Sequence, residues 1–295
     1  MMETWQFTYE LPANFQACNL RSLLEQTWLL PHRIVHYLRI RQDVLVNQQY
    51  YPMNYTVKAA DKITMNFLAS DFRTGQSNYL KDSSVPIEVL FENEHLLVVN
   101  KPAGIKTHPN QPLEMGTLMN FVAGYLAKKQ LAPYMVHRID QQTSGAIIIA
   151  KNPVVVPILD RLISTKQIAR NYLAWVSGEF EQQDGKIELP IGRDPEDKRK
   201  RIIAGLNAQS ALTTYQVVDQ KAGNSLVKLE LATGRTHQLR VHLAGIGHPI
   251  IGDPLYSSVQ NDKMLLHAAE LQLILPFEQT KLKINAPIPT YFNNL

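Results

Sequence analysis

The sequence predicts an α+β protein, with a mixed, largely antiparallel sheet domain flanked by helices and a small α/β unit before it. Beyond residue 85 the strand-like segments outnumber the helical ones, and they lack the regular alternation of a parallel βαβ array. Before residue 74, two helical patterns precede two short alternating runs. With 45% hydrophobic and 19% charged residues, the 295-residue chain can form one large and one small core.

Residues 1–74 form the first predicted unit. Leucines and a tryptophan recur at helical spacing in "LRSLLEQTWL" until Pro31, where a second helix can begin and run through "HRIVHYLRIRQ". The runs "DVLVNQQ" and "DKITMNF" alternate as half-buried strands do. Arg33 and Arg39 fall on the polar side of the second helix. That side is either a solvated face or a surface for RNA phosphates, and the pattern leaves both readings open.

Residues 75–84 are polar and aperiodic, which predicts a linker, and residues 85–295 form the larger unit. Its segments follow in order: two strands in "IEVLFENEHLLVVNK", a helix in "TLMNFVAGYLAKK", a strand in "GAIIIAK", a helix in "VVPILDRLIS", and strands in "NYLAWVSGEF", "LTTYQVV" and "SLVKLELA". A last helix is expected from Arg235 to Ala244, where Gly245 would end it.

The composition limits the kinds of function. A formal net charge of +4 and an isoelectric point near 9.0 favour a polyanion such as nucleic acid as partner. The single cysteine, Cys18, excludes an intrachain disulfide and a cysteine-based metal site. There is no signal-peptide pattern and no apolar run near the ~20 residues that span a bilayer, so we expect a cytoplasmic protein. The absence of a glycine-rich phosphate loop argues against a nucleotide-driven enzyme.

A carboxylate among basic and polar residues marks the first candidate site. The stretch "HRIDQQTSG" brings His137, Arg138, Asp140 and Thr143 together just before the aliphatic run of residues 146–150. Asp140 can cap the turn by accepting bonds from backbone amides, with Arg138 merely paired to it. An aspartate held at the mouth of a buried strand can also act as a nucleophile. Taken alone, the motif favours the capping role.

A second basic stretch, "LATGRTHQLRVHLAGIGHP", follows a predicted strand. Arg235 would lie at the start of the last helix, where free backbone amides and its own guanidinium favour an anion. For Arg240 and His242, each taken singly, the simpler reading is a side chain that faces water. His237 and His242 are five residues apart, which is the wrong spacing for two metal ligands on one helical face. No metal site is therefore expected.

A third stretch, "ARNYLAW", places Arg170 and Tyr172 on one face of a predicted strand, because side chains alternate along it. A lone tyrosine usually serves packing. A tyrosine beside a basic residue in a cleft can instead stack on a nucleobase.

In their order along the chain, these stretches resemble the RluA-type family of pseudouridine synthases from about Val85 to Pro289. The family's His-Arg-Leu-Asp…Thr-Ser-Gly signature appears as residues 137–145, with Ile139 in place of leucine. Its Thr-Gly-Arg-Thr-His-Gln-(Ile/Leu)-Arg-Val-His segment appears as residues 233–242. "NKPAGIKTHP", "GHPIIGDPLY" and "LLHAAEL" match further stretches of the family.

Residues 1–74 are similar to a small S-four-type RNA-binding domain, most clearly in "DVLVN" and "DKITM". Two positions depart from that domain's pattern. Pro31-His32 stands where it usually has Ser-Arg, and Gln48 stands where it has glycine. The resemblance therefore implies RNA binding less strongly for this unit than it implies catalysis for the larger one.

The resemblance implies isomerisation of specific uridines in structured RNA to pseudouridine, with no cofactor, metal or energy source. It makes Asp140 the catalytic carboxylate. Arg235 would form a salt bridge that orients Asp140, and Tyr172 would stack on the target base. Arg138 would fill the space that a flipped-out uridine leaves. The complete set expected to contact RNA is His137, Arg138, Thr143, Arg170, Arg240, Arg33 and Arg39. We expect large-subunit ribosomal RNA as the substrate, with transfer RNA as the alternative.

Two other readings stay open. A hydrolase could cut the same glycosidic bond, but it normally needs a second carboxylate to activate water. Asp253 in "IIGDPLY" is a candidate, although Gly-Asp-Pro is more typical of a turn. The chain could also bind RNA without catalysis, in which case Asp140 would serve only as scaffold. No partner protein is evident from the sequence.

Overall fold

A computed structural model describes residues 4–293 of the chain. The amino-terminal unit contains, in chain order, β1 (Thr4–Glu10), β2 (Cys18–Asn19), α1 (Leu20–Ser22), a π-helical segment (Leu23–Thr27), α2 (His32–Arg41), β3 (Val44–Val46), β4 (Gln49–Tyr50), β5 (Thr56–Val57) and β6 (Lys62–Leu68). One sheet has the strand order β1-β6-β3-β4, and β2 pairs with β5.

The segments predicted for this unit are present, with two differences. The apolar run predicted as one α-helix begins as α1 and widens into the π-helical segment, with Leu20, Leu23 and Leu24 fully buried. Helix α2 begins directly after Pro31, as predicted. Strand β1 was not indicated by the sequence pattern, and it pairs along its whole length with β6.

The larger unit contains β7 (Glu88–Glu92), β8 (Leu96–Lys101), α3 (Leu118–Ala127), β9 (Tyr134–Met135), β10 (Ser144–Ala150), α4 (Val156–Ser164), β11 (Ala169–Ser177), β12 (Asp184–Ile187), β13 (Ile191–Arg193), β14 (Arg201–Ile203), β15 (Leu206–Gln209), β16 (Thr213–Lys221), β17 (Asn224–Leu231), α5 (Gln238–Gly245), β18 (Leu266–Ile274) and β19 (Lys281–Asn285). No helix in residues 4–293 is long and apolar enough to cross a membrane.

The main sheet of this unit is mixed and mostly antiparallel. Its strand order is β12-β16-β17-β11-β18-β10-β8-β7, with β19 beside β18 and β9 beside β10. Strands β10 and β18 run parallel, and the other pairs are antiparallel. Gly145 has φ 111°, and a side chain there would collide with the backbone of Ala268 on β18. The predicted α+β fold class is confirmed.

Alternation along β8 separates two cores on opposite faces of the sheet. Leu97 and Val99 face the core that contains α3 and α5, whereas Leu96 and Val98 face α4. The core that contains Leu96, Val98 and α4 continues without interruption into the amino-terminal unit. That unit therefore packs on the face opposite α5. The predicted boundaries at residues 74 and 84 stay predictions.

An aromatic cluster around a buried histidine joins the two units. His95 is 1% exposed, and its ring lies 4.9 Å from that of Phe7 and 5.3 Å from that of Phe277. Asn152 donates to Nδ1 over 3.3 Å, so the ring's own proton resides on Nε2 and bonds the hydroxyl of Tyr9. Burial, aided by the positive charge of Lys151, lowers the pKa of His95 to about 4.

The neutral state of His95 predicts a loss of stability in mild acid. In the unfolded chain His95 takes up a proton near pH ~6.5, whereas in the folded chain it does so only near pH 4. Its contribution to the free energy of unfolding is therefore complete above pH ~6.5 and falls by roughly 3 kcal/mol as the pH drops to 4. Urea unfolding midpoints at several pH values, for the parent and His95→Gln, would measure this.

We expect the variant to depend less steeply on pH across that window. His36→Gln, which changes an exposed histidine on α2, serves as the control and should keep the parent's slope. Equal slopes for the parent and His95→Gln would show that His95 is not held neutral by folding.

Candidate active site

Asp140 lies in a tight turn directly before β10, where two neighbouring groups fix the backbone. The amide of Thr143 donates to the carbonyl of Asp140 over 3.1 Å, which closes the turn. On the other side, Thr107 Oγ1 donates to the carbonyl of the buried Ile139 over 2.7 Å. The Asp140 side chain itself is 19% exposed, so it is anchored on a rigid strand but open to a cavity.

A buried ammonium group joins this turn to the loop after β8. Nζ of Lys101 donates to the carbonyls of Pro102, Ile105 and Gln141, at 2.9, 2.7 and 3.1 Å. Burial lowers the pKa of Lys101 to about 7, while the negative charge of Asp140 acts in the opposite direction. Lys101 belongs to the family stretch "NKPAGIKTHP", but the sequence did not single it out. Its contact with the Asp140 turn depends on the fold.

The arginine that pairs with Asp140 is Arg240, and the prediction that Arg235 forms this salt bridge is wrong. Nη1 of Arg240 lies 3.1 Å from Asp140 Oδ2. Its Nε and Nη2 each donate over 2.7 Å to the carboxylate of Asp253. Arg240 is 4% exposed and the Asp253 side chain 0%, so one buried guanidinium holds two carboxylates. The reading of Arg240 as a water-facing side chain is also wrong.

Helix α5 begins three residues later than predicted, which explains why Arg240 rather than Arg235 pairs with Asp140. It starts at Gln238, after His237 in a left-handed conformation with φ 58°. Arg235 therefore lies in the preceding loop, where its Nε donates to the carbonyl of Ser210 over 3.0 Å and its side chain is exposed. Arg240 falls in the first turn, and His242 is also buried, bonded to Thr213 and to the carbonyl of Leu189.

Strand β11 supplies two residues to the same cavity. Arg170 and Tyr172 both line it, in agreement with the alternation that the sequence predicted. Tyr172 is 5% exposed, and its burial raises the pKa of the phenol, against the effect of Arg170. The phenol is therefore protonated near neutral pH. The Nε of Arg170 has no hydrogen-bond partner among the described residues.

Arg138 is exposed at the rim of the cavity. Its Nη1 donates to Nε2 of His108 over 3.2 Å, while Nδ1 of His108 donates to the carbonyl of Pro109. His137 has a different position from the one expected of an RNA contact. Its Nε2 accepts the amide of Ile148 over 3.1 Å, and burial lowers its pKa to about 3. His137 therefore supports the turn as a neutral ring.

The residues around the Asp140 side chain enclose a cavity of about 110 Å³. Of the residues predicted from the sequence, those that line it are Asp140, Arg235, Tyr172, Arg138, Thr143, Arg170 and Arg240. Arg33 and Arg39 lie on α2 in the other unit, where Arg33 donates to the carbonyl of Asp71 and Arg39 to His36.

A larger cavity of about 770 Å³ lies at the junction of the two units, lined in part by Arg33, Phe72 and Tyr79. It contains neither Asp140 nor Arg240. The smaller cavity is the candidate active site, because it brings the Asp140 carboxylate together with Arg240 and Tyr172.

The structure adds residues that the sequence did not single out for this site. Asp253 was weighed only as a turn residue or a second acid, and it is the buried partner of Arg240. Tyr256 lies under the same guanidinium, with its ring centre 5.0 Å from the Arg240 carbon Cζ. His237 lines the cavity as well. Nothing in the spacing of these residues indicates the contacts, since the loop that carries Asp253 and Tyr256 folds back onto the start of α5.

The arrangement offers one accessible carboxylate in a pocket surrounded by arginines. Asp140 can add to an electrophilic carbon, while the arginines at the rim can bind a polyanion. Within residues 4–293, no three His, Cys, Asp or Glu side chains are arranged to hold a metal ion.

Comparison with known families gives a consistent match across both units. The model of the family described as RNA pseudouridylate synthase matches residues 95–245. The model described as RluD ribosomal pseudouridine synthase N-terminal domain matches residues 7–63. The first match includes the Asp140 turn and the Arg235–Arg240 segment.

Individual relatives agree with these matches. The uncharacterized RNA pseudouridine synthase YhcT of Bacillus subtilis is 38% identical over 261 residues, covering 86% of this chain and 84% of YhcT. The ribosomal large subunit pseudouridine synthase D of Nitrosomonas europaea is 36% identical over 219 residues, covering 70% of this chain and 63% of that protein. The solved structure of human RNA pseudouridylate synthase domain containing 4 superposes with a TM-score of 0.58 at 25% identity, covering 70% of this chain and 90% of that one.

Proposed function

Because this chain belongs to the RNA pseudouridylate synthase family, and is therefore an enzyme that isomerises uridine in RNA, we propose that Asp140 is its catalytic carboxylate. In this reaction the bond from the sugar C1′ to uracil N1 breaks, the base turns, and C5 bonds to C1′. Asp140 acts as the nucleophile that holds the separated fragment. The observation that carries the proposal is that Asp140 is accessible in the cavity while its other contacts fix its position.

The state of Asp253 supports isomerisation over hydrolysis. A hydrolase needs a second carboxylate with room for a water molecule beside it. Asp253 is fully buried and already accepts from Arg240 and from the amides of Leu255 and Tyr256. It has no free position for a substrate water, so uracil held near Asp140 is expected to rejoin the sugar rather than be lost.

The remaining residues of the cavity have proposed roles in holding RNA. Tyr172 stacks on the target uracil, and Arg170 and Arg235 contact phosphates or sugar oxygens near it. Arg138, exposed at the rim, enters the space of the flipped-out nucleotide. Arg33 and Arg39 contribute phosphate contacts from the amino-terminal unit. Thr143 shapes the floor of the cavity beside Asp140.

We propose large-subunit ribosomal RNA as the substrate, since one of the relatives is named for the large ribosomal subunit. Transfer RNA is the alternative. The proposal implies a cytoplasmic location, because both RNAs are found there in bacteria.

Release of tritium from C5 of uridine tests both the reaction and the substrate. Formation of the C5–C1′ bond expels the C5 hydrogen, so product and tritium release should be equal. We expect release from unmodified ribosomal RNA and none from transfer RNA, without free uracil. Release from transfer RNA only would overturn the substrate proposal, and free uracil would show hydrolysis. Silence on both pools with RNA bound would indicate a binding function.

A further inference from the structure

One residue of the cavity has a strained backbone and no role in the scheme above. His237, the residue before α5, has φ 58° and ψ 19°, a left-handed conformation that costs a non-glycine residue about 1–3 kcal/mol. Such strain persists only where the surroundings impose it. Here it turns the imidazole into the cavity, where Nε2 lies 4.0 Å from Oδ2 of Asp140.

The hydrogen bonds around His237 favour a proton on Nε2. The amide of Arg201 donates to the hydroxyl oxygen of Tyr256 over 2.8 Å. That oxygen lies 2.8 Å from Nδ1 of His237, so the hydroxyl proton of Tyr256 is available to donate to Nδ1. The imidazole proton then resides on Nε2, which faces Asp140 and the cavity.

The surroundings also keep this ring uncharged. Burial lowers the pKa of His237, the carboxylates of Asp140 and Asp253 act against this, and Arg240 and Arg201 reinforce it. At neutral pH His237 is a neutral donor. It therefore does not compete with Arg240 for the Asp140 carboxylate.

The reaction itself creates a need for such a donor. One guanidinium, Arg240, faces two carboxylates, so the group of three carries a net charge of −1. Whether Asp140 adds to the sugar or to the base, an electron pair moves onto uracil and negative charge develops on its carbonyl oxygens. Once Asp140 has bonded to the substrate, Arg240 still donates two hydrogen bonds to Asp253, and these two groups are neutral together. A positioned N–H group at this place stabilises the charge on uracil.

We propose that His237 is a further catalytic residue, whose Nε2–H donates a hydrogen bond to a uracil carbonyl oxygen while the bond between N1 and C1′ is broken. The proposal rests on the proposed role of Asp140. The N1–C1′ electron pair passes to uracil, C5 then bonds to C1′, and Asp140 is released. The proton lost from C5 is replaced by one on N1, so the product is an isomer. His237 donates only a hydrogen bond and ends unchanged.

Two substitutions at His237 distinguish the loss of its hydrogen-bond donor from a change in side-chain size. His237→Leu removes the donor at similar size, whereas His237→Gln retains an N–H in a similar place. The measurement is the single-turnover loss of target nucleoside, at saturating ribosomal RNA, after digestion to nucleosides. We expect His237→Leu to be roughly 10²–10³-fold slower than the parent. His237→Gln should stay within about tenfold of the parent, with RNA affinity unchanged in both.

Fluorine at C5 provides a readout that a purely structural role would not change. It withdraws electrons and stabilises negative charge on the base, so a hydrogen-bond donor to that charge matters less. On RNA that contains 5-fluorouridine, the loss caused by His237→Leu should shrink on the order of tenfold. An equal loss on both RNAs, or no loss on uridine, would overturn the proposal. Inactivity of the parent would instead refute the proposed function.

Discussion

Replacement of Asp140 by asparagine should abolish pseudouridine formation, with a fall in single-turnover rate on the order of 10⁴-fold or more. The amide is almost the same size as the carboxylate, but it is neither negative nor nucleophilic. The fold should persist, because Arg240 stays bonded to Asp253 and the turn is closed through backbone groups. Tritium release from ribosomal RNA measures the rate, and filter binding measures the affinity for RNA.

Asp219→Asn is the matched control, since it removes an exposed carboxylate from β16 of the same sheet and should leave the rate unchanged. RNA affinity should be similar for all three proteins. Residual activity of Asp140→Asn within tenfold of the parent would mean that another group does the chemistry. Loss of RNA binding together with activity would leave the role of Asp140 in catalysis unsupported.

Replacement of Arg240 by methionine should destabilise the protein by about 3–5 kcal/mol, because it leaves Asp253 buried without a cation. Asp140 would lose the group that orients it, so activity should fall as well. Arg240→Lys keeps the positive charge, but a single ammonium group cannot reproduce the fork that binds Asp253 while also reaching Asp140. It should recover part of the stability and little of the activity. Urea unfolding and single-turnover rates measure the two effects.

Arg235→Met tests whether Arg240, rather than Arg235 as the sequence suggested, is the arginine that orients Asp140. Arg235 is exposed and donates to one backbone carbonyl, so its loss should change the free energy of unfolding by less than about 1 kcal/mol. At saturating RNA its rate should stay above that of Arg240→Lys. The reverse order, with Arg235→Met less stable and slower, would contradict the geometry.

The amino-terminal unit illustrates how far sequence patterns reach. Helix α2 and strands β3 and β6 were predictable from periodicity, and Pro31 marked the start of α2. Strand β1 was missed, and it carries Tyr9, which bonds His95 of the other unit. The two units share one core, so β1 is half of an interface whose other half is far away in sequence. Such a partner surface leaves no local pattern.

The sequence by itself determined the α+β class, the presence of the family's motifs, and Asp140, Tyr172 and Arg170 as members of one site. The class and the shared strand face of Arg170 and Tyr172 follow from local properties, because residue type and alternation decide which side chains a strand presents. The resemblance to the family joined these two residues to Asp140. Only the tertiary structure decided that Arg240 rather than Arg235 pairs with Asp140. The left-handed residue His237 delays the start of α5, so Arg235 lies in the preceding loop and Arg240 in the first helical turn. The tertiary structure also decided that the Asp253 carboxylate binds Arg240, since that contact forms only in the folded chain.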